Sequence, residues 1–338
     1  MSRRALASAL ASRVGLLELL ERVALRPALI VLVYHRIARP EDCAFDRNVI
    51  EATPDQFDEQ MGMLRRRHSV VGPAELRDIL ERPSTLRHPR VAVTFDDGYR
   101  DNYAVAFPIL KSHGLQALFF VPTHFVGSLD LTWWDRIAYA VRHTKRSELR
   151  LEYPSSVTVR VDGSNRDPAV KEVLRAFKAG GHADELRFFE MLERASGEAM
   201  PREARERQFF SWDEAVEMER AGMGIGSHTH SHRILSGLSA EEQRRECAES
   251  RGALRERNLA FGDCLAYPVG GPEAFSDETK RHARDTGYRF AFSNYGGINL
   301  AGRIDPFDVK RIGMDLGETA SQLRFRLAAS ASAGRAAW

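Results

Sequence analysis

The chain has 338 residues with 49 Lys and Arg against 47 Asp and Glu, a formal net charge of +2 that leaves no basic footprint for nucleic acid. A hydrophobic content of 43% excludes a disordered chain and is enough for a full core. Three cysteines, Cys43, Cys247 and Cys264, form no C-x-x-C pair and no even framework, which excludes a disulfide scaffold and fits a reducing compartment.

Residues 1–28 read as an amphipathic helix, with Leu6, Leu10, Val14 and Leu17 against Arg13, Glu18, Glu21 and Arg22. The segment is too short and too charged to span a bilayer, and its apolar run is too interrupted for a secretory signal. Three accounts stay open: an extra helix packed on the domain, a peripheral anchor through residues 1–25 at the inner face of the cytoplasmic membrane, or a poor signal anchor. The expected location is cytoplasmic.

Strand signals then recur near 29–34, 90–95, 116–122, 224–227, 264–267, 289–293 and 309–314. Helical patterns lie between most of them. Thr53-Pro54-Asp55-Gln56 is a capping box that opens a helix through Phe57, Met61 and Leu64. A second helix spans 102–113 and closes at Gly114. Ser211, Ser239 and Ser276 each start a further helix. This alternation argues for parallel strands with crossover helices.

Residues 128–210 interrupt the alternation. They carry an amphipathic helix starting at Trp133-Trp134, a hairpin at 149–162, and charged helices near 168–178 and 182–195. We read them as an inserted, mainly helical cap. Aromatic faces stack on sugar rings, so Trp134 is a substrate-binding expectation; packing of the cap on the domain is the competing account. The Ala/Ser-rich residues 326–338 read as a frayed tail.

Two segments carry the chemistry. Asp96 and Asp97 end the apolar run Val91–Phe95, with Gly98 as its stop. In a parallel α/β sheet, strand ends of this kind are where ligands bind. His228 and His232, four residues apart, share one face of a helix or a compact turn; His230 points elsewhere. One carboxylate and two imidazoles form a ligand set for a catalytic divalent metal, and the spare carboxylate can serve as general base. The residue pattern does not order the two aspartates. A plain turn-forming Asp-Asp-Gly is the competing account of the first segment.

Thr94-Phe95-Asp96-Asp97-Gly98 and His228-Thr229-x-x-His232 resemble the first and second motifs of the polysaccharide deacetylase family, carbohydrate esterase family four. The resemblance implies that Asp96 is the base and that Asp97, His228 and His232 hold the metal, usually Zn2+. Leu265-Ala266-Tyr267-Pro268-Val269-Gly270-Gly271 is similar to the third motif, which implies a groove at Tyr267 and Pro268 and a backbone N–H near Tyr267 for an oxyanion. Ala266 stands where many members carry an Arg that orients the base, and Val269 where an aromatic is usual. Arg311 is a candidate for the missing Arg. The Tyr34-His35 strand end resembles that of members that look circularly permuted, which implies His35 as general acid. Tyr99, beside the first motif, is assigned with Trp134 to substrate binding.

The family's fold is a distorted (β/α) barrel of about seven parallel strands, here expected over 29–127 and 211–325. The implied function is metal-dependent removal of an N-acetyl group from an amino sugar in a glycan or glycan precursor. Deformylation of a lipid-linked amino sugar, O-ester removal and a non-catalytic carbohydrate-binding role are the alternatives.

Overall fold

Seven short apolar runs pair side by side in the computed structural model, which describes residues 26–161, 163, 165–180 and 184–333. They are β1 (Ala28–Tyr34), β2 (Arg90–Phe95), β3 (Leu118–Val121), β4 (Gly224–Ser227), β5 (Cys264–Ala266), β6 (Phe290–Phe292) and β7 (Arg311–Gly313). Their spatial order is β6-β5-β4-β3-β2-β1-β7, and every neighbouring pair is parallel. A parallel bridge from Phe292 to Val309, just ahead of β7, nearly closes the ring. This is the expected distorted barrel.

All seven residues of β1 are buried, as a parallel strand covered on both faces requires. Alternate side chains divide between two cores. Ile30, Leu32 and Tyr34 pack outward with Phe57, Met61 and Leu64. Leu29 and Val31 pack inward with Ala92, Phe120, Cys264 and Phe292.

The helices are α1 (Pro54–Arg67), α2 (Pro73–Glu81), α3 (Phe107–Ser112), α4 (Trp133–His143), α5 (Asp167–Ala179), α6 (Glu185–Ser196), α7 (Trp212–Arg220), α8 (Ala240–Glu256), α9 (Asp277–Thr286) and α10 (Ala320–Ala333). Capping boxes at Thr53, Ser211, Ser239 and Ser276 start α1, α7, α8 and α9. In the 102–113 segment, a π-helical turn over Asn102–Ala106 precedes α3, and Pro108 there has no N–H to donate. Helix α2 and a short parallel ladder of Arg36–Ile37 with Ile50–Ala52 were not expected from the sequence.

Between β3 and β4, α4, an antiparallel hairpin (Glu148–Leu151 with Val157–Arg160), α5 and α6 share an apolar cluster of their own. The frayed tail expected over 326–338 is corrected as far as residue 333; residues 334–338 lie outside the described residues. Helix α10 continues to Ala333, with Leu323, Leu327, Ala328 and Ala331 buried and Arg326 paired with Glu318 at 2.7 Å. Its small Ala and Ser side chains let it approach α1 closely without an amphipathic stripe to announce it. The N-terminal helix expected over 1–28 lies, up to residue 25, outside the described residues. Among the described residues, no helix is long and apolar enough to cross a membrane.

Candidate functional site

The site forms where β1, β2, β4 and β5 end. The Asp96 N–H donates to the Tyr34 carbonyl at 2.9 Å, one step past the end of β2. Asp97 and Gly98 then both adopt φ of 69°, in the left-handed region. Asp tolerates that region, and Gly98 is required there, since a Cβ would lie 2.9 Å from Val121 Cγ1. This turn defeats strand alternation and brings both carboxylates to one cavity.

His228 continues β4, its N–H donating to the Val121 carbonyl at 2.8 Å. The segment to His232 is a compact turn rather than a helix, with Thr229 and His232 at φ of 65° and 59°. Glu246 of α8 accepts the N–H groups of His230 and Ser231 at 3.0 and 2.8 Å, which fixes the loop. His230 turns away, toward Thr123 and Glu249.

One ligand atom from each of Asp97, His228 and His232 lies within 4.8 Å of the others. Asp97 Oδ1 is 3.6 Å from His228 Nε2 and 3.3 Å from His232 Nε2. That oxygen is buried and has no hydrogen-bond partner among the described residues, as an atom aimed at a cation would be. His228 Nδ1 sits 2.8 Å from the Ala266 carbonyl, which assigns the proton to Nδ1 and leaves Nε2 as a lone-pair donor. Burial holds His228 down at about 4, so it is neutral at pH 7. Burial alone would raise Asp97, but the close His232 imidazole outweighs it and keeps the carboxylate ionised. Two imidazoles and a carboxylate fit a divalent cation of the zinc type.

Asp96 lies beside this set, with Oδ2 3.7 Å from His228 Nε2. Arg311, fully buried on β7, grips both its oxygens at 2.7 Å and anchors its own Nε on the Ser293 carbonyl at 3.0 Å. Burial would raise Asp96, and the guanidinium overrides it, so the net shift is downward. His35 donates its N–H to Glu51 Oε2 at 2.6 Å and places Nδ1 2.7 Å from Oε1. Burial would lower its pKa, but Glu51 drives it up to about 10. The imidazole is a stored proton at neutral pH.

A cavity of about 240 Å³ takes in His35, Glu51, Asp96, Asp97, His228 and His232, walled by Trp133, Trp134, Lys178 and Val269 among others. Trp134 meets His232 with ring centroids 4.4 Å apart. Two expectations are corrected. Tyr99 is fully buried outside the cavity, stacked on Phe209, and accepts the Trp134 Nε1–H at 2.5 Å. It steadies Trp134 instead of meeting a ligand. Tyr267 is also buried, its hydroxyl donating to the Phe307 carbonyl and its N–H to the Phe292 carbonyl. Neither it nor Pro268, which lacks an N–H, lines the cavity; Val269 does. Glu51 was missed by sequence reasoning, because only the Arg36–Ile37 ladder brings it to His35.

A nearly closed parallel barrel with an Asp-His-His group at its strand ends defines a class of α/β barrel carrying a candidate metal site. The sequence profile of the polysaccharide deacetylase family matches residues 84–291, and the chain belongs to that family. YxkH of Bacillus subtilis (strain 168), whose name carries polysaccharide deacetylase, is 23% identical over 79% of this chain, and the chain covers 64% of that protein's length. The deacetylase PplD of Streptococcus pyogenes, solved in complex with acetate, has a TM-score of 0.58 at 21% identity, covering 88% of this chain and 97% of its own. IcaB from Ammonifex degensii gives 0.54 at 20% identity, with 90% and 97% covered. At these identities the structural likenesses establish the fold.

Proposed function

We propose that the protein hydrolyses the N-acetyl amide of an amino sugar, with Zn2+ at Asp97, His228 and His232. The observation that carries this reading is the orphaned Asp97 Oδ1 facing two imidazoles, with the Arg311-gripped Asp96 alongside. A cation bound there supplies Lewis acidity to water and to the acyl oxygen. Asp96, fixed by Arg311, takes the proton of the attacking water. As the new C–O bond forms, the backbone N–H of Val269, a residue that lines the cavity, stabilises the oxyanion. One such donor is worth about 3 kcal/mol. The C–N bond then breaks, and His35 delivers its proton from Nε2, the nitrogen not engaged by Glu51, to the leaving amine. Trp134 forms the apolar wall for the sugar.

Acetate release from free, nucleotide-linked and lipid-linked N-acetyl sugars tests the reading, with Asp96→Asn as control. Release that vanishes in the variant is expected. No release from any of these by the metal-loaded protein, or release that persists in Asp96→Asn, overturns it.

Glu51→Gln gives a second result. With Glu51 present, His35 stays protonated up to about pH 10. Without it, burial pulls the imidazole back toward or below its ordinary value of about 6.5. The acid form is then lost as pH rises through neutrality, so the alkaline limb of the pH–kcat profile moves down by several units. An unmoved limb shows that the proton comes from elsewhere.

A further inference from the structure

Helix α5 presents Lys171, Leu174 and Lys178 at i, i+3 and i+7, on one face. Leu174 and Lys178 line the cavity of the metal site. Lys171 lines a second cavity of about 510 Å³, and Asn48 and Glu51 border both. A single face of the cap helix therefore runs along two adjoining cavities, with its lysines about 10 Å apart along the helix axis.

The carboxylates that border these cavities are already engaged. Glu51 holds His35, Asp96 holds Arg311, Asp97 faces His228 and His232, Asp167 holds Arg142, Asp46 accepts the Asn48 amide, and Asp315 also has a partner. Neither lysine ammonium has a carboxylate within 4.0 Å among the described residues. Lys178 feels Asp46 and Asp97 only at longer range, and its Nζ lies 5.8 Å from the Trp133 ring centroid. Two cations without an ion-pair partner beside the cavity are arranged to meet an anion supplied from outside.

We propose that Lys171 and Lys178 select an acidic saccharide, one whose N-acetyl sugar is joined to a phosphate or a carboxylate that lies along α5 when the amide enters the metal site. The proposal relies on the deacetylase reading for which bond is cut, not for what is bound. Phosphate and carboxylate offer the same anionic oxygens to an ammonium, and the experiment separates them.

Calorimetric titration of the metal-loaded wild-type chain uses three amine-form ligands, which have no acetyl group left to lose. They are a nucleoside-diphosphate glucosamine, a glucosamine–uronate disaccharide and a neutral glucosamine disaccharide. At least one acidic ligand should bind about tenfold more tightly than the neutral one. Lys171→Gln/Lys178→Gln, two exposed substitutions compatible with folding, should abolish that ratio, and added salt should shrink it. Equal binding of all three, a preference that survives in the double variant, or no binding at all overturns the proposal. The acidic ligand that responds identifies phosphate or carboxylate. Acetate release without an acidic preference sinks only the selection by α5. An α5-dependent preference without acetate release from any N-acetyl sugar sinks only the reaction.

Discussion

Arg311→Met is expected to cost about 3–5 kcal/mol of stability and to silence the enzyme, since it strands a buried carboxylate without its counter-charge. Both side chains are almost wholly enclosed, at 0% and 2% exposure, so water cannot substitute for the guanidinium. The pH dependence should also change sign at this position. In the wild type, Asp96 has a depressed pKa, so its contribution is present above the unfolded value of about 3.9 and is lost only as pH falls below it. In Arg311→Met, burial dominates and the pKa is raised, so the protonated form is favoured and stability is lost as pH rises through the new value. Thermal melting at pH 5 and pH 7.5 checks this: the variant's deficit should be smaller at pH 5. Asp96→Asn added to Arg311→Met should not worsen the deficit, because no charge is then left to strand. Melting within a degree of wild type at both pH values would refute the account of the pair.

His228→Ala, His232→Ala and Asp97→Asn should each lower metal affinity by more than about 100-fold, beyond the 10–100-fold typical of losing only a partner of a ligand. Metal content after dialysis measures this directly, without any substrate. Full occupancy retained in all three would remove the ligand assignment. His228→Ala should be the most disruptive to the fold, since it also leaves the Ala266 carbonyl without its donor.

The barrel was legible because most of its strands are apolar runs stopped by a polar or turn-forming residue, and because the four serine or threonine caps announce their helices locally. Asp96, Asp97, His228 and His232 were legible as a group because their spacing is short within each motif. What was hidden depends on contacts distant in sequence. Glu51 meets His35 through a two-residue ladder too short to leave a period-2 pattern. Arg311 was suspected only from the Ala266 departure, and its grip on Asp96 follows from β7 lying beside β1, two places from β2. Tyr99 and Tyr267 were misplaced because a motif gives proximity in sequence, while the side chain's direction is decided by packing against Phe209 and Phe275.

The pairing of Arg311 with Asp96 spans 215 positions of the chain. Synthesis runs from the N-terminus, so Asp96 is made well before its counter-charge. Until β7 joins β1, Asp96 lacks the guanidinium that does most to offset its burial. On the proposed reading of Asp96 as the base, competence is tied to β7, and a chain cut short of β7, even with Asp97, His228 and His232 in place, lacks the guanidinium that holds that carboxylate ionised. On that reading, hydrolytic power is withheld from the nascent protein by the order in which its residues are made.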